Sequence, residues 1–157
     1  MDRIFRGAFL LNGGILAPFD AWLLLRGMRT LPVRLRQHSA DALTVARYLA
    51  TVDKVSTVNH PAFGEPSDSL NGWSGIFSFE LAGGDFESVR VFIDRLKLFR
   101  IGISWGGVES LAVSPNHGNN LARLDAQRIP AGLVRLSIGL EGADVLIEDI
   151  ASALGQT

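Results

Sequence analysis

Arg135 is the only charged residue in the stretch AGLVRLSIGL, residues 131–140. The stretch alternates as a half-buried strand does: Val134, Leu136, Ile138 and Leu140 point one way, and Leu133, Arg135, Ser137 and Gly139 the other. An arginine offers a rigid fork of donors that matches a carboxylate bidentately, most strongly where water is excluded. The bland reading, a solvated side chain on the polar face of a strand, is the commoner one for this pattern.

Other chemistry fits the residues less well. The tetrapeptide GWSG at 72–75 is superficially similar to a nucleophile elbow but lacks the G-x-S-x-G spacing, so it reads as a loop feeding a strand. Neither phosphate-cradling glycine pattern occurs, and Gly106 and Gly107 read as a turn. A lysine that condenses with a carbonyl must be desolvated or otherwise lowered in pKa. Lys54, in a turn, and Lys97, near the end of an amphipathic helix, both read as solvated surface charges. The absence of cysteine removes disulfides, thiolate nucleophiles and cysteine metal ligands. His38, His60 and His117 lack ligand spacing, so no metal site is expected.

The elements that must position these groups follow from pattern. A helix is expected over 20–28, where Trp22 to Leu25 cover most of the circumference and call for burial on more than one side. A second, amphipathic helix is expected over about 30–50, with Thr30 as N-cap, Pro32 in the first turn and apolar residues at Leu31, Leu35, Ala42, Ala46 and Leu49. Strands are expected at 55–59 and 75–81, separated by a loop. A helix follows over 85–98, then short apolar segments at 99–103 and 108–113 on either side of SWGG. The polar stretch 114–130 reads as a loop with room for a helical turn, and the Arg135 strand precedes a last helix carrying Ile147, Ile150, Ala151 and Leu154.

Strands and helices mixed without βαβ alternation imply an α+β fold, a mainly antiparallel small sheet with helices packed on one face. With 157 residues, 47% of them hydrophobic, the chain can bury one sizeable core, and it reads as a single domain. Fifteen basic against sixteen acidic residues give a net charge of −1, which offers no electrostatic footprint for nucleic acid. No apolar run approaches bilayer length and the N-terminus lacks a signal-peptide pattern, so a cytoplasmic setting without membrane is expected.

Three ordered stretches carry a resemblance. RGMRTLPVRLRQHSADALTVARYL at 26–49, GISWGGVESL at 102–111 and GLVRLSIGLEGADVLIEDIASAL at 132–154 resemble the C-terminal domain of the pyridoxal-phosphate enzymes of cysteine and methionine metabolism. That family includes cystathionine β-lyase, cystathionine γ-synthase and methionine γ-lyase, and the likeness runs from about residue 12 to 154. It implies the C-terminal domain of a fold-type I enzyme, in which Arg135 binds the substrate's α-carboxylate, with Ser104 and the backbone at Trp105 beside it. Trp105 resembles the β-lyase branch, whereas SPNHGNN at 114–120 departs from the HPasmTH-like stretch of relatives and leaves substrate choice open.

The resemblance also implies what this chain does not supply. In the family the Schiff-base lysine and the groups that hold pyridoxal phosphate lie upstream of the matching segment, so residues 1–157 are expected to be a truncated domain, inactive alone. No catalytic or cofactor-binding residue is expected here. Pyridoxal 5'-phosphate is expected only in the intact enzyme, with a cystathionine-like amino acid as substrate and a homo-oligomer as the assembly. The alternative is a stand-alone α+β binding or oligomerisation module that keeps the fold without catalysis.

Overall fold

The computed structural model describes residues 2–9, 13, 15–65 and 72–155. It divides into two compact units, Met1–Val33 and Arg34–Thr157. In the first, a helical turn at Asp2–Ile4 runs into a π-helical stretch at Phe5–Phe9, where the rings of Phe5 and Phe9 stack 5.5 Å apart.

Helix α1 runs without interruption over Pro18–Leu49, which corrects the expectation of two helices meeting at Thr30. Thr30 is no N-cap: its hydroxyl donates back to the Gly27 carbonyl at 3.2 Å, as in a helix interior. Pro32 lacks an N–H and crowds the preceding turn, yet its ring holds φ in the helical range, so the chain passes through it at the cost of a hydrogen bond. The apolar stripe is also only half used. Ala42, Val45, Ala46 and Leu49 are fully buried, whereas Leu31 and Leu35 are exposed, as are Trp22 to Leu25, for which burial is expected from composition.

The second unit holds a five-stranded sheet: β1 (Val55–Asn59), β2 (Ile76–Leu81), β3 (Arg100–Ile101), β4 (Leu111–Val113) and β5 (Leu133–Ser137), in the order β1-β2-β5-β4-β3. All pairs are antiparallel except β3 with β4. The loop expected between the strands at 55–59 and 75–81 is described at 60–65 and 72–74; its residues 66–71 lie outside the described residues. Three further helices follow the strands, α2 (Phe86–Arg95), α3 (Leu121–Ala126) and α4 (Ala143–Ala153).

Period-two alternation puts Phe77, Phe79 and Leu81 of β2 on the same side as Val134 and Leu136 of β5, with Phe77 opposite Leu136 and Phe79 opposite Val134. That side is covered by Ala42, Val45, Ala46 and Leu49 of α1, Val89 and Phe92 of α2, and Leu146 and Ile150 of α4. Phe79 meets Phe92 edge to face at 5.6 Å, the geometry that the ring quadrupoles favour. The fold is thus the expected α+β layer, with Ile76, Ser78, Leu133, Arg135 and Val113 left half-buried on the opposite side.

Helix α2 begins and ends where its polar partners dictate. Asp85 caps it, Oδ1 accepting from the Ser88 amide at 2.9 Å while Ser88 Oγ accepts from the Asp85 amide, a reciprocal box. The same amide bond holds the Asp85 carboxyl below its ordinary value. The helix stops at Arg95 rather than continuing to 98, because the Lys97 and Leu98 amides turn to the buried carboxylate of Asp149 on α4, at 2.9 Å each. Lys54 is exposed, as its surface reading expects, and its ammonium also donates to the Leu154 carbonyl at 2.5 Å, at the C-terminal end of α4, where a cation is favourable.

Candidate functional site

The side of β5 opposite the core carries Arg135 between Ser78 of β2 and Val113 of β4. Together with Ile103, His117 and Leu133 these residues line a cavity of about 500 Å³. Its walls are mainly aliphatic, and Arg135 brings the one permanent charge.

Residues 102–110 form a loop whose ends lie close together, since the Gly102 amide donates to Ala112 and the Arg100 amide to Ser110. Gly106 turns it with φ of +76°, a conformation suited to a residue without Cβ. The loop directs two carbonyls at the arginine: Nη2 of Arg135 donates to Ser104 O at 2.8 Å and more weakly to Gly102 O at 3.4 Å. The guanidinium Nε is buried with no hydrogen-bond partner. Among the described residues no carboxylate pairs with Arg135.

A buried donor on a cation that lacks an acceptor is costly, and an arriving carboxylate removes that cost because one oxygen can take Nε–H while the other takes a terminal nitrogen. The two backbone carbonyls fix the plane of the fork without neutralising it. The arrangement can therefore orient a carboxylate-bearing ligand, with the aliphatic wall excluding water from one flank.

The structure brings together two of the three expected residues, through an atom not anticipated. Ser104 reaches Arg135 by its backbone carbonyl, and its hydroxyl has no hydrogen bond among the described residues. Trp105, 62% exposed, stands on the same loop. The sequence reading did not single out Ser110, Gly139 and Glu141. Glu141 Oε1 accepts from the Ser110 amide at 2.6 Å and Oε2 from the Ser110 hydroxyl at 2.8 Å, while Ser110 Oγ accepts from the Gly139 amide at 2.8 Å. On the helix side, His38 Nδ1 lies 2.8 Å from Ile138 O and 3.0 Å from Gly139 O. Both neighbours are carbonyls, so Nδ1 carries the proton.

No three His, Asp or Glu side chains come together as metal ligands among the described residues, and no helix there is long and apolar enough to cross a membrane.

Residues 6–155 match the model of the Cys/Met metabolism PLP-dependent enzyme family. The chain is 37% identical to cystathionine beta-lyase of Lactococcus lactis over 93% of its own length and 41% of the relative's. It is 41% identical to cystathionine beta-lyase of Bordetella avium over 86% of its length and 35% of the relative's. An O-acetyl-L-homoserine sulfhydrylase of Leptospira meyeri is 34% identical over 90% of the chain and 35% of that protein. The chain therefore spans between about a third and two-fifths of the length of these relatives. Among solved structures, a Campylobacter jejuni protein described as an O-acetylhomoserine (thiol)-lyase, carrying a pyridoxyl-lysine monophosphate, superposes with a TM-score of 0.81 at 34% identity, over 98% of this chain and 37% of that one. With its family model matched almost end to end and its fold shared with a pyridoxyl-bearing relative, this chain belongs to the Cys/Met metabolism PLP-dependent enzyme family.

Proposed function

We propose that this chain is the substrate-carboxylate-holding part of a PLP-dependent carbon–sulfur lyase or transsulfuration enzyme, similar to cystathionine β-lyase. The observation that carries the reading is the Arg135 guanidinium, oriented by two loop carbonyls yet left with a buried, unpartnered Nε beside an aliphatic cavity. Arg135 would hold the α-carboxylate of a cystathionine-like amino acid, while Ser104 and the backbone at Trp105 form the adjoining edge. A cytoplasmic setting and a homo-oligomer belong to the same reading. The exposed Trp22, Leu24, Leu25 and Met28 of the N-terminal unit support the assembly, as apolar residues that a partner surface would cover.

Pyridoxal phosphate, when bound, supplies an electron sink at the amino acid's α carbon. The residues of this chain do not fit a resident cofactor. Covalent attachment needs a free lysine amine facing the substrate, but Lys54 is committed to the Leu154 carbonyl and neither lysine lines the Arg135 cavity. We therefore place cofactor attachment outside these residues and expect no site-specific pyridoxyl adduct after borohydride reduction.

The clamp is tested by following the Arg135 Nε–H resonance during titration with L-alanine and with L-alaninamide, which has the same skeleton without a carboxylate. A saturable shift with the acid alone, lost in Arg135→Ala, is expected. Equal responses to both compounds, or none at high millimolar concentration, would overturn the assignment.

A further inference from the structure

We propose that Glu141 is a positioning residue for Arg135, acting through Ser110 and the loop 102–110; the ligand-directed part of this inference rests on reading Arg135 as a carboxylate clamp. Ser110 is fully buried and every polar group it owns is engaged. Its amide and hydroxyl donate to the two oxygens of Glu141, its Oγ accepts from Gly139, and its carbonyl accepts from Arg100. The next turn of the same loop is tied back by the Leu140 amide, which donates to Val108 O at 2.8 Å. One foot of the loop is thus bolted to the segment that leaves β5, and the other presents Gly102 O and Ser104 O to the guanidinium.

The close approach depends on Gly139. A Cβ there would lie 2.4 Å from both Glu141 Oε2 and Val108 O, so any larger residue would push the loop off its anchor. Glu141 makes no ion pair with Arg135 among the described residues. Its carboxylate goes to the Ser110 amide and hydroxyl, and the cation stays free for a ligand. Charge-assisted bonds of this kind are about twice as strong as neutral ones, which suits a carboxylate to hold a loop under load from a neighbouring guanidinium.

The test uses the whole chain and three variants, Glu141→Ala, Glu141→Gln and Ser110→Ala. In the ligand-free protein, amide exchange at Ser110, Gly139 and Leu140 and exchange of the Arg135 Nε proton with water should all accelerate about tenfold or more in Glu141→Ala, which removes both charge-assisted bonds to Ser110. The amides of β2 and β5 should keep their protection. Glu141→Gln should fall between, since its amide oxygen still accepts from the Ser110 amide but its nitrogen cannot accept the hydroxyl proton; it also covers the case in which the alanine variant fails to fold. The L-alanine response of Arg135 should weaken in the same order.

Unchanged exchange at the loop and at Arg135 Nε in both Glu141 variants would overturn the inference. Accelerated exchange with an undiminished L-alanine response would overturn its ligand-directed part. If the unmodified chain ignores L-alanine, the clamp reading fails, and the exchange rates alone decide the positioning role.

Discussion

Nη2 of Arg135 donates to the carbonyl oxygen of Ser104 at 2.8 Å, although the two residues stand 31 positions apart. A carbonyl dipole orients a guanidinium without cancelling its charge, so the contact sets the direction of the fork and leaves it able to bind an anion. It also makes the loop and the arginine one mechanical unit, and that coupling shapes the expectations for variants.

Arg135→Lys should keep the fold and lose the ligand response. An ammonium is a compact point charge that cannot meet two carbonyls and a carboxylate in one plane. The L-alanine titration should weaken at least about fivefold, while the urea midpoint shifts by no more than about 0.5 kcal/mol equivalent, as for a half-exposed substitution. A lysine variant that binds as well as the parent would show that charge alone suffices.

Leu136→Ala should be severe. Leu136 is fully buried, with Phe77 and Ala112 as its cross-strand neighbours. Truncation removes transfer energy and leaves a cavity, costing about 2–5 kcal/mol. Equilibrium urea unfolding should show a lower midpoint at unchanged m, with the loss concentrated in the helix-covered face.

Asp149→Ala strands two backbone donors, the Lys97 and Leu98 amides, where α2 turns toward β3. A buried donor left without an acceptor costs about 1–3 kcal/mol, and water can reach part of this turn, so a loss of about 1–2 kcal/mol is expected, with Asp149→Asn losing less because one amide oxygen remains. Urea denaturation of the two variants side by side measures both, and equal stability of parent and alanine variant would rule out the structural role.

His60 should make the chain sensitive to mild acid. Its ring lies 5.6 Å from each of Phe63, Trp73 and Phe77, its Nδ1 accepts from the Ala62 amide at 3.1 Å, and burial lowers its pKa from the ordinary 6.5. The unfolded chain then binds a proton more readily than the folded one. Stability from this group is full above pH 6.5 and declines as pH falls below that value toward the lowered folded pKa. Between pH 7.5 and pH 5.5, about one unit to either side of 6.5, the parent should lose more stability than His60→Phe, read as the difference in their urea midpoints. Parallel pH profiles would exclude the histidine as the cause.

The sequence by itself determines the alternation that places Arg135 opposite the core, the acidic start of α2 and the apolar face of α4. Side-chain period is a local property of backbone geometry, so it can be read residue by residue. The motifs likewise place Ser104, Trp105 and Arg135 in a recognisable family. The N-terminal helix shows where such reading stops: Thr30 and Pro32 carry the marks of a helix start, yet one helix passes through them, since a proline ring fits helical φ and Thr30 bonds back to Gly27 instead of capping. Lys54 is a surface charge, but its partner, the terminus of α4 100 positions away, is supplied only by the fold. The same holds for Glu141 and Ser110, whose hydrogen bonds close across 31 positions. Neither residue is unusual where it stands in the chain. Only the folded sheet, by bringing the exit of β5 against the loop before β4, gives each the partner that defines its role, because hydrogen bonds depend on distance in space and composition carries no record of that distance.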